Sequence, residues 1–199
     1  MIMGVLNNFL PFNFIAFGQL YVTGGMASIV NANTAFMGVI VSGLFLSGEP
    51  ATWNRVVGVM IGVTGVAIAI GVTPMLSAAD ANDLLLGSLA IILATIAYAF
   101  AGVWGKIKLA EYSPTQSAVG MLICSSVISV LCSFFISGPP SLTIINHPFD
   151  LIKVVLGLGV LGTALAYPLY FKILEVAGSS NLMLVTIIVP VFAIILDAI

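Results

Sequence analysis

Charge is what this sequence has least of. Only 5 of its 199 residues are Lys or Arg and 7 are Asp or Glu, 6% in all, where a soluble domain carries about 25%. A chain so poor in charge and 61% hydrophobic, with a mean hydropathy of +1.25, lies far from the composition of disordered proteins and cannot cover its surface with polar groups. Its solvent is lipid. The shortage also excludes function classes. Nucleic-acid binding needs clustered cations, and Arg55, Lys106, Lys108, Lys153 and Lys172 are scattered. Cys124 and Cys132 sit in one apolar run without polar ligands nearby, so they read as small core residues and announce neither a disulfide framework nor a metal site.

What is present is a series of long apolar stretches between the charges. Compared with the ~20 residues a helix needs to span a bilayer, they predict seven spans, at about 4–22, 26–47, 53–72, 84–105, 114–137, 151–174 and 179–197. Turn formers separate them: Thr23-Gly24-Gly25, and Gly138-Pro139-Pro140 followed by Asn146-His147-Pro148. Helices are required because lipid offers no partner to a free backbone group, and no stretch alternates as a membrane barrel would. The expected fold class is therefore all-α, a polytopic membrane helix bundle of about seven transmembrane helices.

The cations orient it. With residue 1 on the cytoplasmic side, Arg55, Lys106, Lys108 and Lys172 are cytoplasmic and only Lys153 is outside, as the positive-inside rule prefers. The start lacks the charged leader of a signal peptide, so the expectation is a multi-pass protein of the plasma (inner) membrane. The bare end, Asp197-Ala198-Ile199, is expected to be a truncation.

Two parts of the chain resemble a known family. The run GVLNNFLPFNFIAFGQLYV, followed by MASIVNANTAFMGVIVSGLFLSGEP and WNRVVGVMIGVTGVAIAIG, resembles the third to fifth helices of EamA-like carriers in the drug/metabolite transporter superfamily. GTALAYPLYFKILEVAGSSNLMLVTIIVPVFAIILDAI resembles the eighth and ninth. That family has ten helices in two five-helix repeats, so the resemblance implies helices three to nine: residues 1–72 as the end of the first repeat and 84–199 as a truncated second one. A shift of 154 residues sets Phe17 on Phe171, Leu20 on Leu174, Val22 on Val176 and Gly24 on Gly178, a sparse internal match. Segments five spans apart are oppositely oriented, as in the inverted repeats of secondary transporters. Gly48-Glu49 fits the family's recurring Gly-Glu pair, Pro190 its ninth-helix proline, while Ala35 or Phe36 stands where the fourth helix usually has proline.

Polar residues inside spans are costly and therefore informative. Asn7, Asn8 and Gln19 in the first span, Asn31, Asn33 and Thr34 in the second, Tyr98 in the fourth, Tyr167 in the sixth and Thr186 in the last are the candidates for a substrate pathway. Asn8 and Gln19, three turns apart, are expected on one face. The competing reading is that these groups tie helices together, and Trp104 beside Lys106 reads as an interface anchor. Pro168 and Pro190 are the hinge candidates, and Gly58 with Gly62 offers a smooth packing face. Glu49 reads as a helix-end anchor at the membrane surface.

These features imply a carrier that moves a small metabolite (an amino acid, a drug-like or a related solute), outward if the resemblance holds, by alternating access. Its partners are that solute, the bilayer and, as a further option, a second copy in a homodimer. Neither nucleic acid, metal nor cofactor is expected. The rival is a seven-helix receptor or sensor, though the last span lacks the lysine a retinal protein needs. An intramembrane enzyme lacks parts, with His147 alone in a loop and no pair of carboxylates in the spans. Gly157-Leu-Gly159-Val-Leu-Gly162 mimics a dinucleotide fingerprint, which has meaning only after a strand in a soluble βαβ unit.

Overall fold

The computed structural model describes residues 1–70, 81–138, 148–188 and 190, and among these every regular element is helical. Backbone donors and acceptors inside each helix are thereby satisfied within their own segment, as hydrocarbon demands. The helices are α1 (Ile2–Gly18), α2 (Gly24–Phe45), α3 (Trp53–Ile70), α4 (Ala81–Lys108), α5 (Pro114–Ser137), α6 (Pro148–Ile152, continuing with wider i→i+5 bonding over Lys153–Ala164) and α7 (Ala166–Met183). Four helical runs are long and apolar enough to cross a membrane among the described residues: Gly24–Phe45, Ala81–Lys108, Pro114–Ile136 and Pro148–Met183. The family expectation of an inverted repeat does not follow from this architecture alone.

Local chemistry sets the ends. Thr23 accepts from the Met26 amide at 3.3 Å and opens α2, and Ser113 with Gln116 forms a reciprocal capping box ahead of Pro114. The first span stops at Gly18, short of the predicted 22, because Leu20 and Tyr21 turn back onto Phe17 and Gly18 at 3.1 and 3.0 Å. Between the sixth and seventh predicted spans there is no loop. The helical run continues and breaks at Gly178, whose φ of 85° and ψ of 172° only glycine adopts readily. The ends of the third and last predicted spans, with Asp80, His147 and Asp197, lie outside the described residues.

α4 is the hub. Its buried side is built from small residues, among them Gly87, Ala90, Ala94, Ala97, Ala101, Gly102 and Gly105, which let neighbouring backbones come close in the absence of a hydrophobic drive between helices. Gly18 and Gly87 press against each other so tightly that a Cβ on either would lie 2.9 Å from the other's carbonyl oxygen. Gly102 faces Ser179 and Met183, and Gly105 faces Leu174, so α7 lies along the same stripe. Met3, Ala101, Ala118, Met121, Phe171 and Leu174 join α1, α4, α5 and α7 in one apolar cluster, and Trp104 packs against it as well as ending near Lys106.

The predicted packing face on α3 is only half realised. A Cβ added at Gly62 would lie 3.1 Å from Ile187 Cδ1, but one at Gly58 would face open space among the described residues, because α3 packs against α2 and Ile187 chiefly through Val56, Val59, Val63 and Ala67. α6 buries none of Lys153–Ala164. Its exposed Val154, Val155, Leu156, Leu158 and Leu161 are untenable in water and natural in lipid. The Gly157–Gly162 motif lies in this helix and follows no strand, so the dinucleotide reading falls.

Candidate functional site

In α1 the bonding widens over Val5–Phe9. Such a turn rotates successive side chains by less than an α-helix does, and here it sends the adjacent Asn7 and Asn8 into the same polar cluster. Both are buried, at 1% and 5% exposure, so their amides need partners. Tyr167 donates its hydroxyl to Asn8 Oδ1 at 2.6 Å, and Tyr170, one turn on along α7, donates to Asn7 Oδ1 at 3.0 Å. Asn8 Nδ2 donates to Ser125 Oγ at 3.1 Å, and Ser125 passes its proton to the Leu122 carbonyl at 3.0 Å. Asn7 Nδ2 reaches Met121 Sδ at 3.5 Å. Three helices are tied together by a chain of neutral hydrogen bonds.

Beside this network lies a cavity of about 480 Å³ lined by Asn7, Asn31, Thr34, Tyr98, Tyr167, Tyr170 and Thr186 among apolar side chains such as Leu169, Ile173, Leu182, Met183 and Val185. Among the described residues no charged side chain lines it. Asn31 and Thr34 fall near the middle of α2, where membrane carriers place their solutes. The size and mix of apolar wall with a few polar groups suit a small organic molecule. Thr34 and Thr186 donate back to the Asn31 and Met183 carbonyls, each at 2.7 Å. Tyr98 makes no hydrogen bond among the described residues, and Asn31 Oδ1 is buried with no partner.

Of the nine residues expected to line a pathway, the structure brings six to this cavity: Asn7, Asn31, Thr34, Tyr98, Tyr167 and Thr186. Asn8 stands behind Tyr167. Gln19 is exposed at the end of α1, because the widened turn shifts the helix phase and the helix stops before it. Asn33 donates to the Val30 carbonyl at 3.0 Å and marks a break in the α2 hydrogen-bond ladder, away from the cavity. Tyr170 and Ser125 were not among those nine. The i,i+3 spacing of Tyr167 and Tyr170 carries the signal for the first; nothing in the sequence singles out Ser125 among its serines.

The break in the helical run does not fall at either proline. Pro168 is the third residue of α7, where its missing N–H costs the helix that starts at Ala166 no hydrogen bond. Pro190 is buried. The break is at Gly178, and two side chains from other elements hold it. Glu49, in the turn after α2, accepts from the Ser179 and Ser180 amides at 2.8 and 2.7 Å, capping the segment after the break. Lys106, at the end of α4, donates to the Leu174 and Glu175 carbonyls at 3.1 and 2.9 Å, capping the segment before it. Both charges match the partial charges of the helix ends they meet. The two segments so capped carry the cavity walls, Tyr167 and Tyr170 before the break and Leu182, Met183 and Thr186 after it. Next to the caps is a second, more open hollow of about 500 Å³.

Among the described residues no three of His, Cys, Asp and Glu gather where they would hold a metal. Residues 85–199 match the model of the family described as "EamA-like transporter family". A curated relative, an "Uncharacterized transporter" of Archaeoglobus fulgidus, is 25% identical over 182 residues, which is 92% of this chain and 61% of that protein. The chain thus spans about three fifths of the length of the curated relative it matches. No solved structure gives a significant match.

Proposed function

Because the chain belongs to the EamA-like transporter family and its apolar helices make it an integral, multi-pass membrane protein, we propose that it serves in carrying a small metabolite across a membrane, with the uncharged mid-span cavity as the solute site. The observation that carries this reading is that the cavity is walled by residues from both sides of the capped break at Gly178, Tyr167, Tyr170 and Ile173 before it and Leu182, Met183 and Thr186 after it, so a change in the angle between the two segments alters the site. Alternating access between oppositely oriented repeats, one ending near residue 72 and one starting near 84, is the mechanism that fits this arrangement. Export is the direction the family resemblance favours, with the Lys106 end cytoplasmic in the plasma (inner) membrane, since four of five cations then face inward. The chain needs no catalytic group for this work.

Counterflow in proteoliposomes tests it. Vesicles preloaded with a pool of unlabelled amino acids, amines and neutral drug-like solutes should take up labelled members of that pool faster than protein-free vesicles. Uptake equal to protein-free vesicles for every solute overturns the carrier reading.

A further inference from the structure

The hydrogen-bonding groups around the cavity are unevenly spent. Tyr167 and Tyr170 have given their hydroxyl protons to Asn8 and Asn7, and Thr34 and Thr186 have given theirs to backbone carbonyls. What those four oxygens still offer is lone pairs, and a phenolic or alcoholic hydroxyl has just one proton to give. Asn31 adds an acceptor, Oδ1, that is buried and unpaired. A buried acceptor without a donor costs free energy until something supplies the proton. The donors left in the lining are few: the Tyr98 hydroxyl and the Asn31 Nδ2 amide, neither hydrogen-bonded among the described residues. Among the described residues no Lys, Arg or His lines the space.

Resting on the solute-site reading above, we infer that the site takes a molecule with an N–H or O–H donor on an apolar body and rejects carboxylates. A carboxylate has only acceptors and a full negative charge, and among the described lining residues it would find two neutral donors, the Tyr98 hydroxyl and the Asn31 amide, against a majority of lone pairs, with no cation to replace its lost hydration. An ammonium or hydroxyl finds the reverse. The Asn31 amide, once it turns Oδ1 toward the space, and the Tyr167, Tyr170 and Thr186 oxygens accept its protons, and the Tyr167 and Tyr170 rings, 5.8 Å apart and tilted by 69°, stand in the same wall. The apolar side chains take up the rest of the molecule. The selection is therefore against amino acids with a free carboxylate and for amines and alcohols of similar bulk.

A matched series reads this directly. Equilibrium dialysis of labelled 2-phenylethylamine, 2-phenylethanol, ethylbenzene and 3-phenylpropanoate is run against the chain in lipid nanodiscs, with empty nanodiscs subtracted. The amine and the alcohol should bind saturably and at least about tenfold more tightly than the carboxylate, the difference expected when one partner set is satisfied and the other is not. Asn31→Leu should weaken both about fivefold and leave ethylbenzene unchanged. Asn31→Asp, which keeps the shape, should raise the preference for amine over alcohol about fivefold and keeps the test alive should the leucine variant misfold. Carboxylate binding as tight as amine binding, no saturable binding of any of the four, or insensitivity to both Asn31 substitutions overturns the inference. Failure here is separable from failure of the carrier reading: counterflow confined to carboxylates leaves a carrier with the opposite selectivity, whereas the expected dialysis pattern without counterflow leaves a binding site without transport.

Discussion

At Asn7 and Asn8 a general rule, that an amide in a membrane must find partners, becomes a specific fold contact. The two tyrosine hydroxyls they accept from come from residues 163 and 159 positions away. Removing either hydroxyl leaves an asparagine oxygen short of a donor, so Tyr167→Phe and Tyr170→Phe should each cost about 1 kcal/mol. Thermal unfolding in detergent, followed by far-ultraviolet circular dichroism, should show a lower midpoint for both, and an unchanged one for Tyr98→Phe, whose hydroxyl makes no bond among the described residues. Six of the expected residues lie at one cavity, and their burial was foreseeable because burying a polar group in lipid is expensive whatever the fold, so such a group is placed where it has a use. Gln19 and Asn33 lie away from the cavity for local reasons: one follows the end of its helix, the other bonds its own backbone. Helix phase and helix termination depend on the widened turn at Val5–Phe9, which leaves no mark in residue spacing.

At the scale of elements, α7 is the informative case. Glycine at 178 is required twice over, by its backbone angles and by the Glu49 carboxylate, whose Cδ would lie 2.7 Å from any Cβ there. Gly178→Ala should therefore lose about 1–3 kcal/mol. Glu49→Gln keeps an oxygen for one amide but not for both, and loses the charge; the cost should be about 1.5–3 kcal/mol. Amide hydrogen exchange of the peptide covering 179–183 should speed up in that variant while the α5 peptide stays protected. Glu49 was legible as a helix-end anchor, but the helix it anchors begins 130 residues later in the chain, and no pattern along the sequence links the two. Proline drew attention as the helix breaker by composition; the fold instead breaks at a glycine whose ends two charged side chains satisfy. On α4, Gly87→Val should disrupt the contact with α1, where backbone meets backbone at Gly18, and lower the unfolding midpoint more than Gly58→Val, which points to open space.

For the molecule as a whole, the charge count did most to predict the class, because only lipid tolerates a chain so apolar, and lipid admits few architectures. The all-helical class and the approximate limits of several helices followed from stretch length, but among the described residues four runs are long and apolar enough to cross a membrane, and the predicted sixth and seventh spans share one helical run. The packing around α4 did not follow from it, since small residues are common on every helix of such a chain and only contact shows which ones are used. The central claim is that a transported solute sits in the cavity between α1, α2, α4 and α7. Counterflow in proteoliposomes, compared between the unaltered chain, the Asn31→Ala/Thr34→Ala/Tyr98→Ala combination and the Gln19→Ala/Asn33→Ala pair, tests it most directly. The account predicts that the first combination loses at least about tenfold in uptake at low solute concentration and that the second pair matches the unaltered chain. Full uptake by the triple variant, with the same protein amount in the vesicles, would contradict it.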